Sequence, residues 1–120
     1  MIFSDLICHI KNDAVFLNFY NEDKKEVLTF ILSEKDFNKA AILDDLYVDT
    51  IFPGTIGKTL YIDFRISLFN FLTRVIDDYG IKSRQKLKRF LDSNGLEIKY
   101  LNNSQLKLYT STVDTIFNNR

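Results

Sequence analysis

Four groups of side chains in this sequence have types and spacings that chemistry could use. The first is Gly54-Thr55-Ile56-Gly57-Lys58-Thr59, whose last three residues match the close of a phosphate-binding loop. Such a loop needs a glycine five residues before its Gly-Lys pair, so that backbone N–H groups wrap the phosphates, and a helix beginning at the lysine. Phe52 stands at that position, Pro53 removes a further donor, and Thr59 to Ile66 alternates as a strand. The segment reads as a glycine-containing turn into a strand.

The second group is Cys8-His9. On a strand, neighbouring side chains face opposite sides, so thiol and imidazole would not meet as a dyad. One Cys and one His also supply too few ligands for a zinc site without distant carboxylates. A core thiol beside a solvent-facing imidazole is the expectation. The third group is the carboxylates Asp44, Asp45, Asp49, Asp77 and Asp78, with Asp63 between them in sequence. Acid–base catalysis needs two carboxyl groups converging in a cleft with divergent pKa values, and adjacency at a helix end does not supply that. Asp77 and Asp78 sit unfavourably beside the negative end of their expected helix, a cost sometimes retained for a partner. The fourth is Lys82 to Arg89, with five basic residues in eight. On a helical wheel Lys82, Lys86 and Arg89 form one row, Arg84 and Lys88 another, and Leu87, Phe90 and Leu91 lie between them. That pattern suits an amphipathic helix whose long stems cover the core edge, and equally cations along a phosphate backbone.

The elements that must position these groups follow from hydrophobic period. Residues 2–10, 14–20 and 27–33 are short β-prone runs separated by polar turns, which predicts a three-stranded antiparallel meander. In the second run Val15, Leu17 and Phe19 share one face, while Ala14, Phe16, Asn18 and Tyr20 share the other. Phenylalanine on both faces predicts partial cover on both sides. Ser33-Glu34-Lys35-Asp36 resembles a capping box, predicting a helix from Glu34 to about Leu46. Tyr47 to Phe52 reads as extended, and Pro53-Gly54 as a turn. Leu60, Ile62, Phe64 and Ile66 alternate with Tyr61, Asp63 and Arg65 as a half-buried strand.

The period then changes to helical at Leu68, Phe71, Leu72, Val75 and Tyr79, with Gly80 as the stop. Ser83 caps a short helix to about Ser93, which Gly95 ends. Leu96 to Leu101 and Gln105 to Thr112 alternate around Asn102-Asn103-Ser104, predicting a closing hairpin and a tail of one helical turn. The expected class is α+β in one domain over residues 1–120. Its sheet is mainly antiparallel, in the order β-β-β-α-β-α-α-β-β, with helices packed against it.

Bulk properties narrow the function classes. The chain has 120 residues, 46% apolar and 27% charged, with 16 basic and 16 acidic side chains. That supports one hydrophobic core, and the charge balance creates no global field toward nucleic acid or membrane. Residues 1–60 carry six basic and ten acidic side chains, a net of −4, and residues 61–120 carry ten and six, a net of +4. No apolar stretch reaches membrane-spanning length, no secretory leader is recognisable, and a lone cysteine asks for no oxidising compartment. A cytoplasmic location is expected. The richness in Ile, Phe, Asn, Lys and Tyr is compatible with an AT-rich gene of bacterial or phage origin.

No set of nucleophile, base and orienting group assembles, so neither catalysis, cofactor nor metal is expected. The expected function is a non-catalytic protein that binds and blocks a macromolecular partner. Small inhibitors, antitoxin-like factors and immunity proteins against a bacterial toxin or nuclease are of this kind. Asp44, Asp45, Asp49, Asp77 and Asp78 form the expected contact set, with Tyr20, Tyr47, Tyr61 and Tyr100 as candidate interface aromatics. The alternative is a small nucleic-acid-binding domain using the basic helix 82–89. A direct consequence concerns Gly57-Lys58-Thr59: equilibrium dialysis should detect no saturable nucleoside triphosphate binding. Micromolar binding abolished by Lys58→Ala would overturn the turn-into-strand assignment.

Overall fold

The alternation Val15/Leu17/Phe19 does what period two requires: all three side chains are fully buried along one face of β1 (Ala14–Tyr20). In the computed structural model, which describes residues 1–55 and 57–120, three further strands join it. These are β2 (Val27–Ser33), β3 (Val48–Pro53) and β4 (Thr59–Phe64), in the spatial order β2-β1-β4-β3. β1 pairs antiparallel with β2 and β3 pairs antiparallel with β4, but β1 and β4 run parallel. The sheet is therefore mixed, which corrects the expectation of a mainly antiparallel one. The chain leaves β2 through two 3-10 turns (Glu34–Lys39 and Ala41–Leu43), crosses to form β3 at the far edge, and turns back as β4 beside β1.

Among the described residues four α-helices accompany the sheet: α1 (Phe3–Ile7), α2 (Leu68–Tyr79), α3 (Arg84–Ser93) and α4 (Asn103–Asn118). Helix α2 matches its sequence signals at both ends. The Ser67 hydroxyl accepts from the Asn70 N–H at 3.1 Å, and Gly80 closes the helix in the left-handed region at φ 61°. Ser83 caps α3 in the same manner through the Lys86 N–H.

Three expected elements differ. The run 2–10 is not a strand. Phe3, Leu6, Ile7 and Ile10 fall at i, i+3, i+4 and i+7, and this helical spacing turns all four onto the core. Cys8 and His9 then lie exposed just after α1, with the Cys8 thiol donating to the Asp5 carbonyl at 3.1 Å, so the core-thiol expectation fails. The segment 34–43 forms short 3-10 turns rather than one α-helix. Ser33 provides no cap to their backbone and contacts Asp36 instead, whose carboxylate meets Lys39 at 3.0 Å. The hairpin expected over 96–112 is a 3-10 turn at Ile98–Tyr100 followed by α4. The alternation around Leu106 and Leu108 is local. Continued to Phe117, the buried positions Leu108, Tyr109, Val113 and Ile116 follow a helix, and Asn102 caps it by accepting from the Gln105 N–H.

The core is one contiguous cluster reaching from Phe3 to Ile116. At its centre Phe19 stacks on Phe64 (4.7 Å between centroids) and on Phe71 of α2 (4.4 Å), with Phe30 of β2 edge-on at 6.1 Å. Burial drives the Tyr109 phenol above its ordinary pKa, with the Asp92 carboxylate adding to the effect. No helix is long and apolar enough to cross a membrane among the described residues. Leu72 is fully buried on α2. Leu72→Ala should cost about 2–5 kcal/mol, read from denaturant midpoints. An unchanged midpoint would contradict this placement of the core.

Candidate functional site

All the large core side chains leave the sheet on one side, and the residues between them form a second face. Strand register sets that face out in rows. Phe16 lies opposite Ile31 on β2 and Tyr61 on β4, and Tyr61 lies opposite Phe52 on β3. The result is Ile31–Phe16–Tyr61–Phe52, an apolar row spanning all four strands. Its rings stack: Phe16 on Tyr61 at 4.7 Å, and Phe52 on Tyr61 at 5.1 Å and almost parallel. None of the four belongs to the core or packs against it, and Ile31 and Phe52 are 42% and 38% exposed.

The next row is polar: Thr29–Asn18–Asp63–Thr50. The Thr29 hydroxyl donates to the Asn18 amide oxygen at 2.6 Å, and the Asn18 amide nitrogen donates to the Asp63 carboxylate at 2.8 Å. Tyr20 donates to the other Asp63 oxygen at 3.3 Å. Asn18 is only 6% exposed, yet both ends of its amide are satisfied. Burial first, and the Asp63 carboxylate second, raise the Tyr20 phenol above its ordinary value, so it stays a donor at neutral pH. This network crosses β2, β1 and β4 and ties the three strands together beside the aromatic row.

Beyond Asp63, where the parallel strands β1 and β4 end, Tyr20, Lys24, Asp49, Asp63, Arg65 and Asn70 help line a cavity of about 540 Å³. Arg65 lies over the exposed ring of Tyr47 at 5.6 Å. Phe64 and Ile66 line the same cavity, and its carboxylate Asp63 is already engaged by Asn18 and Tyr20.

The five expected contact carboxylates do not form one patch. Asp44, Asp45 and Asp78 line a smaller cavity of about 190 Å³ with Arg74. Arg74 bonds Asp45 directly and reaches Asp78 at 3.6 Å. Asp77 is bound by Arg120 at 2.5 Å, which ties the end of α2 to the chain terminus. Asp49 stands apart, at the irregularity of β3 between Val48 and Thr50. The basic row Lys82, Lys86 and Arg89 is exposed and makes no ion pair among the described residues, whereas Arg84 binds Asp114 at 2.7 Å and Asn118 at 3.1 Å.

The Gly54 to Thr59 segment is a turn into β4, with Ile56 outside the described residues. Gly54 N–H donates to the Thr59 carbonyl at 3.0 Å, and Gly54 packs so closely on the Thr59 side chain that a Cβ would have no room. Lys58 accepts through its carbonyl from the Asp13 N–H at 2.8 Å. No group of three metal-ligating side chains occurs among the described residues.

Of the aromatics expected at an interface, Tyr61 stands at the centre of the open face, Tyr47 and Tyr20 at its end, and Tyr100 elsewhere. Sequence reasoning missed Phe16, Phe52 and Ile31 as one row. The signal was present in the phenylalanines on both faces of β1, but the row exists only through strand order. The class so defined is an α+β protein with a four-stranded mixed sheet whose core face, among the described residues, is the one that packs against helices. No family model, curated protein or solved structure matches the chain. The hydrogen-bonded row yields its own prediction. Asn18→Ala leaves the Thr29 hydroxyl and the Asp63 carboxylate short of a partner and should destabilise the fold by about 1–3 kcal/mol. A loss within error of zero in chemical denaturation would show that the network does not hold the face.

Proposed function

We propose that this chain is a non-catalytic binding protein that covers and blocks part of a macromolecular partner, in the manner of an immunity protein or inhibitor acting on a toxin or nuclease. Its contact surface is the helix-free face of the sheet. The observation that carries this reading is the stacked row Phe16–Tyr61–Phe52, extended by Ile31 and half exposed across every strand. Aromatic side chains on a rigid scaffold give contact area at low entropic cost, and a contiguous exposed apolar surface marks an interaction site. Asp44, Asp45 and Asp78 keep more carboxylate than the one guanidinium between them can neutralise. In this reading they steer a cationic partner during encounter rather than anchor it.

The nucleic-acid alternative has one observation in its favour: the basic row Lys82, Lys86 and Arg89 at the start and along one side of α3 is exposed and makes no ion pair among the described residues. Tagged protein retrieves its partner from the native host, and three variants then separate the readings. Phe52→Lys with Tyr61→Thr should weaken the retained complex at least about tenfold, the loss of about 1.4 kcal/mol. Asp44→Lys with Asp45→Lys should slow association and make it less salt-sensitive. Lys86→Glu with Arg89→Glu should change neither. Salt-sensitive retention on single-stranded DNA, lost only in the last variant, would favour the alternative and contradict the sheet-face assignment.

A further inference from the structure

The two edges of the sheet are built differently. Edge strands present unpaired N–H and C=O groups, and proteins that stay apart guard them with charge, proline or a bulge. β3 has all three: Asp49, Pro53 and the register irregularity between Val48 and Thr50. β2, Val-Leu-Thr-Phe-Ile-Leu-Ser over residues 27–33, has none of them.

The main-chain groups that β2 turns outward can be assigned. The Asn21 N–H donates to the Glu26 carbonyl and the Glu34 N–H to the Asp13 carbonyl, so these pairs are of the hydrogen-bonded type. Bonded and non-bonded pairs alternate along an antiparallel ladder. In the register Ala14↔Ser33, residues 28, 30 and 32 therefore bond β1, and Val27, Thr29 and Ile31 direct their N–H and C=O groups away from it. No backbone hydrogen bond engages these outward groups among the described residues. At the head of the strand, Leu106 of α4, 41% exposed, shares a groove with Glu26.

We propose that β2 is the interface of a two-fold homodimer in which the β2 strands of two copies pair antiparallel, giving one continuous eight-stranded sheet. The guard on β3 disfavours β2–β3 and β3–β3 contacts, and with them the head-to-tail association that would run on into fibres. It leaves the isologous, closed β2–β2 pairing. A net charge of zero puts no overall repulsion between copies.

Flanking charge selects the register. Pairing Thr29 with its own equivalent sets Val27 opposite Ile31 and brings Lys24 in the turn opposite Glu34, an attractive pair. A shift that centres Phe30 sets Glu26 against Glu34 and Lys25 against Lys35, and one that centres Ile31 sets Glu26 against Asp36. Both bring like charges together. In the register centred on Thr29, Ile31, at the end of each copy's apolar row, meets Val27 of the other copy on the open face. This goes beyond the binding function proposed above, which a monomer could perform equally well.

Sedimentation equilibrium and cross-linking test it on the full chain. The wild type should sediment as a dimer at micromolar concentration. Ile31→Lys guards the edge, and Ile31→Pro removes only an outward N–H, which edge strands tolerate. Both should sediment as monomers with unchanged far-ultraviolet circular dichroism. In a Cys8→Ser background, Thr29→Cys should form an intermolecular disulfide on mild oxidation, because facing residues of a bonded pair lie about 5.5 Å apart, within disulfide reach. Ile31→Cys should cross-link far less. A monomeric wild type, a dimer that survives both Ile31 substitutions, or cross-linking at Ile31→Cys as efficient as at Thr29→Cys would overturn the proposal.

Discussion

The stack of Phe19 between Phe64 and Phe71 is the constraint on which the rest of the structure depends. It joins β1 to its parallel neighbour β4 and both of them to α2. Phe30 closes it from β2, and Phe3 of α1 reaches Phe64 at 5.5 Å. Aromatic rings bury more area than any other side chains, so the side of the sheet that holds this cluster also gathers the helices. The asymmetry of the sheet follows: among the described residues, one face is filled by the side chains of the helices, and the other is made of the strands' own side chains.

What the strands provide on that side is ordered by two kinds of interaction. The polar row Thr29–Asn18–Asp63 fixes strand-to-strand geometry through directional bonds, while the aromatic row beside it is held by stacking and stays half exposed. A surface of this kind is rigid before it meets anything, which lowers the ordering cost of association. The charged groups behave differently. Most of the carboxylates expected to form a patch are drawn into pairs that fasten elements together, Asp45 and Asp78 to Arg74 and Asp77 to Arg120. Exposed pairs of this sort contribute little stability each, but they divide the acidic surface.

Sequence period was a good guide wherever a segment was long enough to show it with its caps. Ser67 and Gly80 bracket α2, Ser83 opens α3, and β1, β2 and β4 lie where alternation places them. It misled where composition and period disagreed. Residues 2–10 are rich in β-prone side chains, yet their spacing is helical, and α4 shows a strand-like alternation at its start that its later residues contradict. Asn102 is a residue that both a turn and a helix cap favour, and only the buried face of Tyr109, Val113 and Ile116 decides between them. The parallel pairing of β1 with β4 was not legible at all, because strand order depends on which hydrophobic faces meet rather than on any local signal. The aromatic row was hidden for the same reason: its members lie on four strands and become neighbours only in the sheet.

The surface we propose for partner binding is the helix-free face of the sheet. Hydroxyl-radical footprinting of the free chain and of its complex tests this most directly, because it reads side-chain exposure residue by residue. The account predicts that Phe16, Phe52 and Tyr61 are oxidised in the free protein and protected in the complex, while Tyr79 and Phe90 on the helical side keep their reactivity. Protection confined to the helical side, with the sheet-face aromatics still reactive, would contradict it.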